Sequence, residues 1–155
     1  MLTFRTAVRG DVPVILALLA DDDVTRARAA GSAVVPESAD AALWAAFEAI
    51  DADPRNELIV AESPDGAVVG TCQLTFTPSL SRGGAERMTI EAVRVRSDRR
   101  GHGIGRAMML WCLERARERG CGLVQLTTDK RRTDAHRFYE SLGFTASHEG
   151  MKLAL

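Results

Sequence analysis

Between an alternating stretch that ends at Val95 and an apolar-striped stretch that begins at Ile104, the chain reads Arg100-Gly101-His102-Gly103-Ile104-Gly105-Arg106. Glycines so placed let backbone N–H groups converge on a phosphate with no side chain in the way. A following helix adds unpaired N–H groups and the positive end of its dipole. The segment is therefore a candidate pyrophosphate cradle. It is not a P-loop, because Gly105 is followed by Arg106-Ala107 and not by Lys-Ser/Thr. Nor is it a dinucleotide fingerprint: Gly101, Gly103 and Gly105 alternate, and the corresponding strand end, Gln125 to Thr128, carries no acid until Asp129.

Two other groups could do chemistry beside such a cradle. Glu91, in Ile90-Glu91-Ala92-Val93, is a carboxylate on the strand leading to the loop. Alternation predicts that it shares a face with Val93 and Val95. A carboxylate there suits a general base. Glu86 is a weaker alternative on the same strand. Tyr139 is the single tyrosine of the chain, and a phenol can donate a proton as a general acid. The purely structural alternatives are a solvated Glu91 paired with Arg94 or Arg87, and a Tyr139 that packs as a helix aromatic.

These groups need elements to hold them. Leu2 to Val8 reads as a first strand, and Gly10-Asp11 as the turn and cap of a helix carrying Val14, Ile15, Leu18 and Leu19. Val24 to Glu37 shows no period and reads as irregular. Ser38 or Asp40 would cap a second helix with Leu43, Trp44, Phe47 and Ile50 on one stripe. Glu57 to Glu62, the turn Ser63-Pro64-Asp65-Gly66 and Ala67 to Phe76 predict a hairpin. Glu86 to Val95 is the next strand. A helix to Arg119 follows, with Ile104, Met108, Trp111, Cys112 and Leu113 buried and Gly120 as its C-terminal cap. Leu123 to Thr127 reads as a strand covered on both faces. Thr133 or Asp134 caps a short helix ended by Gly143, and Phe144 to Leu155 supplies one last strand or two short ones. The order β-α-α-β-β-β-α-β-α-β predicts an α+β fold, a central mixed β-sheet flanked by helices, in a single domain over 1–155.

The arrangement Arg100-x-x-Gly103-x-Gly105 resembles the acyl-CoA signature of the GNAT acetyltransferase superfamily. The segment Ala135-His136-Arg137-Phe138-Tyr139-Glu140-Ser141-Leu142-Gly143-Phe144 resembles that superfamily's late A-x-x-F-Y-x-x-x-G-F motif. The predicted element order matches the GNAT fold, so the resemblance covers nearly the whole chain and is weakest before Glu57. It implies an acetyl-CoA-dependent N-acetyltransferase in which the amine attacks directly in a ternary complex. The backbone of Val93, Arg94 and Val95 would meet the acetyl and pantetheine groups if the sheet splays after Val93. Arg100, Gly101, His102, Gly103, Ile104 and Gly105 would hold the pyrophosphate, with Arg106 close by. Tyr139 matches the tyrosine that faces the cofactor sulfur, and Glu91 the strand glutamate that acts as base. Many relatives carry Asn where this chain has Arg132. The run Lys130-Arg131-Arg132 is then either a contact for the 3′-phosphate or an anionic acceptor, or a solvated basic turn.

The expected acceptor is a small-molecule primary amine. The segment from Asp134 with Ser147-His148 is similar to aminoalkylphosphonate N-acetyltransferases, which supports a small amine without fixing a phosphonate. His136 and His148 could flank that acceptor. Competing readings are a protein or peptide acceptor, in a groove lined by Val24 to Glu37 and Pro78 to Gly84, and a non-catalytic acyl-CoA-binding regulatory module. A homodimer is a further expectation from the family.

Composition fits this class. The chain has 155 residues, 46% hydrophobic and 26% charged, and a net charge of −1 from 20 basic and 21 acidic side chains. That balance gives no basis for nucleic-acid or membrane-surface binding. No apolar run approaches membrane-spanning length, and Met1-Leu2-Thr3-Phe4-Arg5 lacks the character of a signal peptide, so a cytoplasmic location is expected. Cys72, Cys112 and Cys121 are odd in number and widely spaced, which argues for reduced thiols over disulfides or zinc. His102, His136 and His148 are too dispersed for a metal site.

Overall fold

A computed structural model describes residues 1–21 and 41–155. Within them the chain forms two compact units, Met1–Gln125 and Leu126–Leu155. The strands are β1 (Thr3–Thr6), β2 (Asn56–Glu62), β3 (Val68–Thr77), β4 (Arg87–Val95) and β5 (Leu123–Leu126). The helices are α1 (Val12–Ala20), α2 (Ala41–Ala52), α3 (Ile104–Glu118) and α4 (Thr133–Ser141). The sheet order is β1-β2-β3-β4-β5, antiparallel through β4. The connection from β4 to its neighbour β5 passes through α3, the helical crossover that lays strands parallel and makes the sheet mixed.

One face of the sheet is largely apolar. Ile59, Cys72, Leu74, Phe76, Met88 and Ile90 are buried there. They pack on α3, which buries Ile104, Met108, Met109, Cys112 and Ala116. Trp111 and Leu113, expected in that buried stripe, are only half-buried; Trp111 instead stacks on Phe4 at 5.7 Å. The Cys72 and Cys112 sulfurs meet at 3.6 Å, and the hydrogen bond between them together with burial raises the Cys72 thiol well above its ordinary value. The guanidinium of Arg119 lies over the Phe76 ring at 3.9 Å. At the far end of α3, Gly120 (φ 79°) lets Cys121 N–H return to Ala116 O at 2.9 Å and closes the helix as expected.

The opposite face is covered near β1 and β2. Ala7, Ile15, Leu18, Val60 and Val68 form a cluster there, with Leu58 against it. Arg5 ties these parts together by donating to Asp11 Oδ2 at 2.7 Å and to Glu62 Oε2 at 2.8 Å. Asp11 Oδ2 also accepts from Val8 N at 2.8 Å. The Arg5 hydrogen bonds lower the Asp11 carboxyl below the usual carboxylate range. A depressed folded value means the stabilisation is present above the unfolded pKa near 4 and is lost as pH falls through the folded value. Asp11→Asn is therefore expected to cost about 1 to 2 kcal/mol at pH 7, with the difference from the parent shrinking below about pH 4. Urea titrations at both pH values would check it.

Two of the expected elements are corrected. Residues 145–155 adopt no regular element, so the final strand is absent. Met151, Leu153 and Leu155 alternate in the sequence, but they are 95%, 85% and 117% exposed and pair with nothing among the described residues. Strand β5 is not covered on both faces, since Gln125 is exposed, and it ends at Leu126. The predicted irregular stretch 24–37 and the caps Ser38 and Asp40 lie outside the described residues.

Candidate active site

Strand β4 is the spine of the site, and a bulge sets which side chains share a face. Met88 opposes Phe76, Thr89 opposes Thr75, Ile90 opposes Leu74 and Glu91 opposes Gln73. Pairing resumes with Arg94 opposite Thr71 and Val95 opposite Gly70. Ala92, at φ 53°, supplies the extra residue, so Ala92 and Val93 together oppose Cys72. Gln73 and Thr71 are alternate residues on one face, and Glu91 therefore lies with Arg94. The expected grouping of Glu91 with Val93 and Val95 is overturned, because one inserted residue flips the following side chains. Glu91 itself is exposed, and among the described residues its carboxylate has no hydrogen-bond or ion-pair partner, so the Arg87 and Arg94 pairings are not formed. Glu86 differs: it accepts from Arg119 Nε at 2.6 Å, which holds it below the usual carboxylate range and makes it a poor proton acceptor.

The two strands beyond the bulge differ in length. Gly122 N donates to Glu86 O at 2.9 Å and Gln125 Nε2 to Thr89 Oγ1 at 3.1 Å, which sets β5 beside the first half of β4. Strand β5 ends one residue after Gln125, whereas β4 continues to Val95. The edge of β4 carrying Val93, Arg94 and Val95 thus runs past the end of its neighbour. On its other side β4 remains paired with β3.

The loop that follows takes its shape from two glycines. Gly101 (φ 80°) and Gly103 (φ 79°) both occupy the left-handed region, and an added Cβ on either would meet nothing within 4 Å. Gly103 is the N-cap of α3, with no side chain capping the first turn. Ala107 N donates to Gly103 O at 3.0 Å, so the N–H groups of Ile104, Gly105 and Arg106 precede the first helical hydrogen bond. His102 turns its ring back, with Nδ1 at 3.0 Å from Arg100 O, and it contributes backbone to the loop. Arg100 donates to Val95 O at 3.2 Å and Asp21 O at 2.9 Å, tying the loop to the ends of β4 and α1. Arg106 is exposed on the first turn of α3.

The second unit holds Tyr139 and the basic run. Tyr139 lies on α4, its ring edge-on to Phe138 at 5.2 Å and to Phe144 at 5.9 Å. Gly143 (φ 96°) ends α4, with Phe144 N donating to Tyr139 O at 3.1 Å. Arg132 is the N-cap residue of α4. Arg131 is spent locally on Asp129, at 3.1 Å from Oδ2. His136 is half-buried on α4 and its Nε2 has no partner among the described residues; the exposed His148 bonds Ser147 Oγ at 2.6 Å.

Sequence reasoning missed the polar residues beside Glu91. Thr75, Thr89 and Gln125 form a row across β3, β4 and β5, and the signal that could have found them is a polar position on each of three neighbouring strands.

Residues 22–144 match the Acetyltransferase (GNAT) family, and the chain belongs to that family. Its mixed five-stranded sheet with flanking helices is the GNAT fold. A glucosamine 6-phosphate N-acetyltransferase from Trypanosoma brucei brucei is 35% identical over 97 residues, covering 63% of this chain and 64% of that protein. An aminoalkylphosphonate N-acetyltransferase from Salmonella typhimurium is 45% identical over 49 residues, 32% of each chain. The chain thus spans less than two thirds of the length of both relatives. The crystal structure of a transcriptional regulator from Bacillus halodurans C-125 superimposes with a TM-score of 0.91 and 47% identity, over 100% of both chains.

Proposed function

We propose that this protein is an acetyl-CoA-dependent N-acetyltransferase acting on the primary amine of a small molecule, in the cytoplasm, as a single GNAT domain. The observation that carries the reading is the pair of left-handed glycines that opens the first turn of α3 toward an anion. In this reading the N–H groups of the loop and of Ile104, Gly105 and Arg106 hold the pyrophosphate, and Arg106 adds charge. The backbone of Val93, Arg94 and Val95, beyond the end of β5, receives the pantetheine and acetyl groups. Arg132 meets the 3′-phosphate or an anionic part of the acceptor.

Glu91 takes one proton from the acceptor ammonium, through water or directly. The freed amine forms the new C–N bond at the thioester carbon as the C–S bond breaks. Tyr139 gives its phenolic proton to the departing thiolate, and the remaining amine proton leaves to solvent. A carboxylate already bound to an arginine, as Glu86 is, could not take the first of these protons readily. The names of the two sequence relatives support a small amine as acceptor. A homodimer is part of the proposal on family grounds.

A second reading, a regulatory acyl-CoA-binding module, is favoured by the name of the Bacillus halodurans structure. Acetyl-CoA-dependent thiol release over a panel of amino sugars, aminoalkylphosphonates, polyamines, amino acids and short peptides separates the two. Turnover of a small-amine class is the expected result. Acetyl-CoA binding with no turnover of any amine would favour the regulator, turnover confined to peptides would move the acceptor to a protein, and absence of binding would sink both readings of the loop.

A further inference from the structure

The sheet face that carries Glu91 is unlike the face under α3. There Ile59, Cys72, Leu74, Phe76, Met88 and Ile90 are apolar and buried. On the Glu91 face, Asn56, Thr75 and Thr89 stand in register across β2, β3 and β4. Gln125 of β5 joins the row through its 3.1 Å hydrogen bond to Thr89. Strands are spaced about 4.8 Å apart, so the row is a continuous polar strip across four strands. Gln73, opposite Glu91, extends it one step along the sheet.

The hydrogen bonds within the strip leave a particular residue of capacity. Asn56 is largely committed: its Oδ1 accepts from Gln73 at 3.1 Å and Thr75 at 3.0 Å, and its Nδ2 donates one of its two hydrogens to Asp53 at 2.8 Å. Thr75 has spent its hydrogen and keeps lone pairs. Thr89 accepts from Gln125 and keeps its hydrogen, while Gln125 keeps its carbonyl and a second N–H. Gln125 is exposed, and Thr75 and Thr89 are partly so. The strip therefore offers both donors and acceptors, and none of Thr75, Thr89 and Gln125 is charged. Hydroxyl groups, which donate and accept at once, are its complement. A phosphate, chiefly an acceptor, would instead be drawn to Arg87 and Arg94, which share this face but lie outside the strip.

Thr89 is two residues from Glu91 on the same face, about 7 Å along the strand. That is close to the span of one sugar-sized ring. We propose that Thr75, Thr89 and Gln125 form the floor of the acceptor site, and that the acceptor is a polyhydroxylated amine whose amino group reaches Glu91 while its hydroxyls lie on the strip. This rests on the transferase reading above and adds the acceptor's chemical class and the residues that select it.

The test compares glucosamine with cyclohexylamine, a ring amine without hydroxyls, in the full chain with saturating acetyl-CoA. The wild type is expected to favour glucosamine by at least about tenfold in kcat/KM. Thr89→Val is nearly isosteric and Gln125→Ala lies at an exposed position, so both should fold; thermal melts and the acetyl-CoA KM confirm this. Each variant is expected to raise the glucosamine KM several-fold to about tenfold, the range of one or two lost hydrogen bonds, and to lower the glucosamine to cyclohexylamine selectivity by the same factor. Equal use of the two amines by the wild type, or equal losses on both amines in the variants, would overturn this proposal and leave the transferase reading standing. Acetyl-CoA binding with neither these nor any other amine acetylated would overturn the transferase reading and this proposal with it.

Discussion

Gly103→Val is expected to reduce acetyl-CoA affinity at least about a hundredfold while leaving the sheet and its core folded. Gly103 sits at φ 79°, where a β-branched residue is strongly disfavoured. No atom lies within 4 Å of its missing Cβ, so the penalty is conformational and not a clash. The chain relieves that strain by rotating the peptide that opens α3, and the N–H groups of Ile104, Gly105 and Arg106 lose their common aim. Each hydrogen bond to a charged group contributes about 1.5 to 3 kcal/mol, so losing even two removes a hundredfold or more in affinity. Calorimetric titration with acetyl-CoA measures the effect, and a thermal melt of the same sample shows the fold intact. Gly103→Ala should fall between the two, because alanine reaches the left-handed region at lower cost. Retention of near-normal affinity in the valine variant would remove this loop from the phosphate site.

Glu91→Gln is expected to lower kcat by about a hundredfold to ten-thousandfold near neutral pH, the range that a positioned general base supplies. Glutamine keeps the size and polarity of the side chain but cannot take a proton. The acceptor must then arrive already neutral, and below the amine's own pKa that fraction grows tenfold with each pH unit. The variant's rate should therefore climb steeply with pH and approach the parent at the alkaline end, while the acetyl-CoA Kd stays put. A uniform loss at every pH would reassign Glu91 to binding or support. Because Glu91 is exposed and engages no partner among the described residues, the substitution leaves no buried group unpaired, and the melting temperature should scarcely move.

The parts of this fold that were readable in sequence are those where a residue type has a single structural meaning. The turn Ser63-Pro64-Asp65-Gly66 closes the hairpin it announced, with Gly66 at φ 86° and its N–H on Ser63 O at 2.8 Å. Gly120 and Gly143 cap α3 and α4 because only glycine enters that backbone region freely. The glycine loop at Gly101 and Gly103 was legible for the same reason. The bulge at Ala92 was not, because alanine carries no mark of a left-handed conformation, and beyond it the alternation argument put Val93 and Val95 on the face of Glu91. The apolar alternation of Met151, Leu153 and Leu155 is a genuine strand pattern, yet a strand also needs a partner, and pairing between distant segments is invisible to local periodicity. The polar strip has the same origin: Thr75, Thr89 and Gln125 are unremarkable in their own segments and become a surface only when three strands align.

The register of β1 has a kinetic consequence. Thr3 pairs with Glu62 and Thr6 with Ile59, whereas β2, β3 and β4 join their neighbours through the consecutive links of a meander. Contacts between nearby segments form early, since little loop entropy opposes them, and contacts across about fifty residues must wait for a surface worth docking on. During synthesis β1 emerges first and then has no strand to join until β2 has been made. The Arg5 fork to Asp11 and Glu62 can close only at that point. Strand β1 accordingly docks late on β2, and weakening it should speed unfolding more than it slows folding.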